Sequence, residues 1–326
     1  MPRRTGWRPG AGGGRSGAPG RVLGVRALIT GGGGFVGTWL ADHLRAAGDD
    51  VAVTDAEVDV TDPDAVQGAL ERARPDAVYH LAALTHVGRS WDDPLRVLEV
   101  NVLGTAGVLL AARRSGLEPR VLVVSSAEVY GAVTDPSVLP LTEDVPPAPV
   151  TPYAASKLAA EAVATQAFRG HGQHVVVARP FNHVGPGQSP DFAVAAFARR
   201  VVEARASGQH AIAVGNLSAR RDFTDVRDVV RAYRALVEAG EPGEVYNVCS
   251  GSDVSMREVA ERLVALAGAS LELEVDPELV RPVEVPVLRG DPGRLERATG
   301  WAPARELGDT LADVLEDWDR RVAASG

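Results

Sequence analysis

Val25-Arg26-Ala27-Leu28-Ile29-Thr30-Gly31-Gly32-Gly33-Gly34-Phe35-Val36-Gly37 is a β-prone apolar run that breaks into glycines and restarts on apolar residues. The stretch that follows, to about Ala47, puts Trp39, Leu40 and Leu44 on one helical face, and Gly48 ends it. Residues 51–54 read as a second strand, which ends on Asp55. Strand, glycine turn, helix, strand, acid is the order of a dinucleotide-binding unit. Gly31, Gly34 and Gly37 let the backbone turn tightly and bring a pyrophosphate onto the helix N-terminus, which Phe35 and Val36 open. Asp55 stands where a carboxylate accepts from the adenosine ribose hydroxyls; it would repel a 2′-phosphate, which favours NADH over NADPH. A strand-end cap is the other reading of Asp55.

The alternation continues outward from this unit. Asp62 caps a helix that opens on Pro63, and residues 77–80 form a third strand. A helix around 94–114 precedes a fourth strand at 121–125, and a helix over 153–170 precedes a fifth at 175–178. Strands spaced by helices of this length imply an α/β fold with a parallel, right-handed, doubly wound sheet. After Pro180 the spacing turns irregular, with Gly185, Pro186, Gly187 and Pro190, and a second lobe is expected to start there. The expected division is a tail at 1–24, a dinucleotide-binding domain at 25–180 with return segments near 222–248, and a smaller C-terminal α/β lobe from 181–221 and 249–322.

Charge limits the partners. The first 26 residues carry six arginines and no acid, and the remaining 300 hold 28 basic against 43 acidic side chains, a net of −15. So acidic a body repels nucleic acid and anionic lipid, and an anionic ligand must be held by helix N-termini or a few placed arginines. The tail, eight glycines among arginines and prolines up to Gly24, lacks the apolar residues to fold or to serve as a signal peptide, and reads as disordered. No run of about eighteen apolar residues appears, so no membrane span is expected. The one cysteine, Cys249, cannot form an internal disulfide, which suits a reducing cytoplasm. Histidines and acids show no ligand spacing, and no metal is expected. His80 reads as structural, and His86 and His183 as possible site-lining residues.

The chemistry lies between Ser125 and Lys157. Tyr153 and Lys157 are four apart on a helix and share a face. An ammonium near a phenol favours the phenolate, so the Tyr153 pKa is expected to fall toward neutrality. Ser126 and Glu128, two apart at the end of a strand, point the same way, into the crevice at the carboxyl ends of the strands. Such a set can move a proton to or from a sugar hydroxyl. A non-catalytic dinucleotide sensor on the same fold is the alternative class, but such proteins typically lose the tyrosine or the lysine, and both are present.

The turn Thr30 to Gly37, His80-Leu81-Ala82-Ala83, Asn101-Val102-Leu103-Gly104-Thr105, the segment 125–131 (Ser-Ser-Ala-Glu-Val-Tyr-Gly) and Tyr153-Ala154-Ala155-Ser156-Lys157 resemble the ordered signatures of extended short-chain dehydrogenase/reductases. The resemblance implies that Ser126, Tyr153 and Lys157 are catalytic and that Asn101 is a helix-bend residue organising the lysine. It implies NAD(P)H contacts at Gly31, Gly34, Phe35, Val36, Gly37, Asp55, Asp59, Val60, Leu81, Ala82 and Ala83. Arg179-Pro180-Phe181-Asn182-His183-Val184-Gly185-Pro186-Gly187-Gln188, residues 215–228 and 243–251, and Arg281-Pro282-Val283-Glu284-Val285-Pro286 are similar to blocks of the GDP-6-deoxy-D-mannose reductases. That similarity implies reduction of a GDP-linked 4-keto-6-deoxy sugar, with Ser126, Asn182, Arg221, Arg281 and Glu284 as substrate contacts, and a homodimer formed through the helices around 94–114 and 153–170. GDP-mannose 4,6-dehydratase is the main rival, with other nucleotide-sugar epimerases and dehydratases as the remaining alternatives: Glu128 stands where the GDP-mannose dehydratases carry their base. Ala127 and the short spacer from Asp55 to Asp59 depart from the dehydratase pattern.

Overall fold

Runs that are apolar at every position, such as 175–178, can only be strands covered on both faces. The computed structural model describes residues 24–133, 135–279 and 285–325; the expected tail lies, Gly24 apart, outside them. The first half alternates β1 (Arg26–Thr30), α1 (Phe35–Ala46), β2 (Asp50–Thr54), α2 (Pro63–Ala73), β3 (Ala77–His80), α3 (Pro94–Leu98), α4 (Gly104–Arg114), β4 (Arg120–Val124), α5 (Pro152–His171) and β5 (Val175–Pro180). The second half contains β6 (Asn182–Val184), α6 (Ala193–Ser207), β7 (Ala211–Val214), β8 (Arg220–Asp225), α7 (Val226–Ala239), β9 (Val245–Val248), β10 (Asp253–Ser255), α8 (Met256–Leu266), β11 (Glu272–Val275), β12 (Val287–Leu288), α9 (Gly293–Thr299) and α10 (Leu307–Ser325).

Six strands form one sheet in the order β2-β1-β3-β4-β5-β9, every pair parallel. All four residues of β3 and all six of β5 are buried, as double cover requires. On one face Leu40 and Leu44 of α1 meet Val229, Tyr233 and Leu236 of α7; on the other, Val66 and Leu70 of α2 meet Val108 and Leu109 of α4. Truncating one of these fully buried leucines to Ala should cost about 2–5 kcal/mol. Chain order reverses between β1 and β3, and the crevice for a ligand opens outside their carboxyl ends.

The second lobe has its own core, where Val201, Val202, Val259, Leu263, Leu311 and Val314 converge from α6, α8 and α10. Its main sheet is centred on β8, which pairs β10 antiparallel and β6 and β12 parallel. The return to the first sheet therefore begins at Val226, not near 222. Asp222 explains the difference: fully buried, it accepts hydrogen bonds from Ser250 N and Oγ, Gly251 N and Gly290 N, and ties β8 into the second lobe.

The helix expected over 94–114 is three pieces, with a π-helical segment, Glu99–Leu103, between α3 and α4. By length and apolarity Pro94–Arg114 could cross a bilayer, with mean hydropathy 1.6, but half of it is buried inside the molecule. Leu95, Leu98 and Leu103 remain exposed along it, as does Trp91 just before it.

Candidate active site

The glycine turn is dictated by its neighbours. Gly31 has φ +70°, and a Cβ there would lie 2.7 Å from the Ala82 backbone; one on Gly37 would lie 2.5 Å from the Gly31 carbonyl. The turns after β1 and β3 thus touch backbone to backbone. Gly34 precedes α1 with no side-chain cap, and the first turn of the helix holds no acid, so the helix N-terminus beside the crevice is left to a ligand. Asp55, at the end of β2, is exposed and lies over the turn: a Cβ on Gly33 would meet its Oδ2 at 2.1 Å.

Helix α5 owes its starting point to Thr151, which accepts from Ala154 N, and to Pro152 at the first helical position. Tyr153 and Lys157 therefore fall in the first two turns, both buried. Tyr153 and Ser126 line the same cavity, with Ser126 among the groups that act on the phenol. Ser126 Oγ also accepts from Glu128 N at 3.2 Å, which shapes the turn after β4. Lys157 Nζ lies 5.9 Å from the Tyr153 ring centroid and donates to Val124 O at 2.8 Å.

The expected fall of the Tyr153 pKa is not found. Burial pushes the phenol well above its ordinary range, the neighbouring Ser126 hydroxyl pulls partly against this, and the charge of Glu128 adds to the rise. The ammonium is turned toward the Val124 carbonyl, so desolvation wins. Burial also lowers Lys157 to about 8, with Glu161 opposing the fall. At neutral pH the tyrosine is a neutral phenol and the lysine remains largely charged.

Asn101 sits in the π-helical segment, and its side chain bonds elsewhere than the lysine: Nδ2 donates to Leu84 O (3.0 Å) and Ser156 Oγ (2.9 Å), and Oδ1 accepts from Leu84 N (2.8 Å). It braces the segment after β3 against α5. His80 is buried between Thr30 Oγ1 (2.8 Å) and Thr105 Oγ1 (3.1 Å), and burial lowers it to about 3, so it is neutral. His183 stacks on Phe35, ring centroids 6.2 Å apart.

A cavity of about 1150 Å³ joins these parts. It is lined by Gly31, Gly34, Phe35, Val36, Gly37, Asp55, Asp59, Val60, Leu81, Ala82 and Ala83 at one end, and by Ser126, Glu128, Tyr153 and Lys157 in the middle. Asn182 and Arg221 line the far end, where the second lobe closes it. Every described candidate from the sequence thus faces one space; Arg281 and Glu284 lie outside the described residues. The far wall adds Arg200 on α6, which donates to Ala213 O at 2.8 Å, and Asn216. Sequence reasoning missed Arg200, since an arginine on an amphipathic helix looks like any solvated one. Arg220, the neighbour of Arg221 in sequence, is ion-paired with Asp253.

A family model described as GDP-mannose 4,6 dehydratase matches residues 52–314. The chain is 41% identical to the GDP-6-deoxy-D-mannose reductase of Pseudomonas aeruginosa over 300 residues, 91% of this chain and 98% of that protein. The structure of RMD from Pseudomonas aeruginosa complexed with NADPH matches with a TM-score of 0.85 and 41% identity, covering 92% of this chain and 99% of that one. Thermus thermophilus UDP-glucose 4-epimerase in complex with NAD matches with a TM-score of 0.81 and 31% identity, covering 90% and 98%.

Proposed function

The chain belongs to the GDP-mannose 4,6 dehydratase family, and from that premise we propose that it reduces the C4 keto group of GDP-4-dehydro-6-deoxy-D-mannose with NAD(P)H, giving GDP-D-rhamnose. It is an NAD(P)-dependent oxidoreductase of nucleotide sugars. The residues present fit the cofactor: the turn at Gly31 and Gly37 has no room for side chains, and the α1 amides behind it are uncapped. That end of the cavity takes the pyrophosphate, with Asp55 beside the adenosine ribose and Lys157 at the nicotinamide ribose. When bound, the reduced nicotinamide supplies the hydride that C4 of the sugar accepts. Ser126 and Tyr153 bond the carbonyl oxygen and stabilise the charge that grows there. Tyr153 passes its proton to O4, and Lys157 stabilises the phenolate left behind until solvent reprotonates it. Asn182 and Arg221 hold the GDP moiety at the far end.

The observation that carries the reading is the placing of Ser126, Tyr153 and Lys157 on one cavity with the glycine turn; burial raises the Tyr153 phenol above its ordinary range, which suits a group that delivers a proton. One observation favours a second reading, 4,6-dehydration of GDP-mannose, since Glu128 lines the same space and could take the C5 proton. Incubation with GDP-mannose and, separately, its 4-keto-6-deoxy derivative, each with and without NADH or NADPH, separates the two. A reductase consumes one reduced cofactor per product and leaves GDP-mannose unchanged. Conversion of GDP-mannose with no net change in nicotinamide absorbance would overturn the assignment.

The exposed Leu95, Leu98 and Leu103 along α3 and the π-helical segment, with Trp91 just before them, support a homodimer formed through this face and α5. With an acidic body and one buried cysteine, the protein is proposed to work in the cytoplasm.

A further inference from the structure

Ser125, Tyr130, Glu161 and Arg179 have no part in the transfer described above, yet they form a buried polar cluster directly behind it. Glu161 follows Lys157 by four residues on the same face of α5 and is 5% exposed. Arg179 on β5, 4% exposed, grips it with both arms, Nε to Oε1 at 2.8 Å and Nη2 to Oε2 at 2.7 Å. Ser125 Oγ donates to the same Oε1 at 2.5 Å. The remaining arm of Arg179, Nη1, donates to Tyr130 OH at 3.0 Å, and that hydroxyl donates onward to Asn247 Oδ1 at 2.8 Å. Ser125 and Tyr130 bracket the turn that carries Ser126 and Glu128.

We propose that Glu161 and Arg179 are positioning residues for the reduction, pinning both ends of the Ser126–Glu128 turn to the helix that carries Tyr153 and Lys157. The proposal rests on the reading that Ser126, Tyr153 and Lys157 perform the transfer. A buried ion pair loses so much hydration that apolar residues of similar size often serve stability equally well. What an apolar pair cannot supply is direction. A planar fork fixes Tyr130 on one side and the carboxylate on the other, and the carboxylate fixes Ser125. Glu161 also places a fixed negative charge one turn beyond Lys157, favouring its ammonium. The other titratable groups facing Lys157 are Tyr153 on its own helix and His80 on β3, both neutral; Arg179 on β5 is neutralised by Glu161.

Ser125→Ala and Tyr130→Phe each remove one anchor and keep the ion pair, so both variants should fold. Each is expected to lower kcat by about tenfold, with KM for cofactor and sugar within about twofold, because a turn displaced by a fraction of an ångström misaligns Ser126 without unbinding anything. Glu161→Gln should also move the alkaline limb of kcat/KM, set by Lys157 near pH 8, downward by about one pH unit. A merely structural role would not move that limb. Should Glu161→Gln fail to fold, the two anchor variants decide alone. Anchor variants with kcat within about twofold of the parent overturn the proposal, as does a folded Glu161→Gln with an unmoved limb. Tyr153→Phe, measured alongside, separates the failures: if it is fully active, the underlying reading is wrong; if it is inactive while the anchor variants match the parent, only the positioning proposal falls.

Discussion

The two walls of the cavity are built in different ways. The wall from the first sheet is built from local motifs: the turn at 31–37, the segment at 81–83, the turn at 125–128 and the helix face of Tyr153 and Lys157 each come after a strand of the six-stranded parallel sheet. The wall from the second lobe is assembled from α6, β6, β8 and the loops at 215–216 and 278–279, which share no local pattern. The first wall is therefore specified by motif and the second by tertiary packing alone. Chemistry common to many nucleotide-sugar enzymes belongs on the first wall, and choice of substrate on the second.

Breaking the first wall should have the largest effect. Tyr153→Phe keeps the ring and its packing but removes the proton, so kcat should fall by roughly two to four orders of magnitude. Affinity for the GDP-sugar should hardly change if, as proposed, the nucleotide is held on the other wall. Near-normal turnover would remove Tyr153 from the mechanism, and a matching loss of affinity would blur the proposed division of labour.

Arg221→Met probes the second wall. Arg221 is 9% exposed, on β8 between β10 and β12, and one arm donates to Arg220 O at 2.9 Å. If its guanidinium binds the diphosphate, KM for the GDP-sugar should rise by about ten- to a hundredfold, the worth of a lost charged hydrogen bond, with a smaller change in kcat. A fall in kcat at unchanged KM would place the residue with the chemistry and break the comparison.

How far each wall could be read in advance follows from the same difference. Strand by strand, the first sheet agrees with the apolar runs at 77–80 and 175–178, because burial on both faces leaves an unbroken signature. Three features did not show. The π-helical segment around Asn101 repeats almost no pattern of its own and was read as plain helix. The pKa of Tyr153 was expected to fall on spacing alone, but its direction depends on burial and on where Lys157 points, and neither is visible in a Y-x-x-x-K pattern. Arg200 carried no signal, since only the closing of the second lobe turns its face of α6 toward the site. The place of β8 was misjudged for a related reason: Asp222 looks like any acid in a polar block until Ser250, Gly251 and Gly290 gather round it.

Glu128→Gln sharpens the function of the first wall at intermediate cost. A reductase needs only the proton that Tyr153 delivers to O4, so Glu128 would orient neighbours and its loss should cost about tenfold in kcat. A dehydratase must also take a proton from C5, and the same substitution would then cost about a hundredfold or more. Steady-state rates with the keto sugar and reduced cofactor, set against rates with GDP-mannose alone, distinguish the outcomes.

The smallest expected effect lies at the cofactor end, where both NADPH and NAD occur among the similar structures. Asp55, Glu57 and Asp59 are all exposed and lie within five residues of one another. Glu57 accepts from Asp55 N at 2.9 Å, and Asp59 accepts from Thr61 N and Oγ1 at 2.9 and 2.7 Å. These bonds hold both carboxyls below the usual range, so both are charged at neutral pH. A 2′-phosphate would enter a field of like charge, and Arg96, the cation acting on Asp59, is paired with Glu99. The expected outcome is a higher kcat/KM with NADH than with NADPH. Because the site is open to solvent and salt, Asp55→Asn should narrow the ratio by only about two- to fivefold. The narrowing should shrink as ionic strength rises, since water and counterions already screen these carboxylates. A ratio that favours NADPH in the parent, or one that Asp55→Asn leaves unmoved at low salt, would show that the acids after β2 do not set the choice, and would shift it to backbone contacts of the glycine turn.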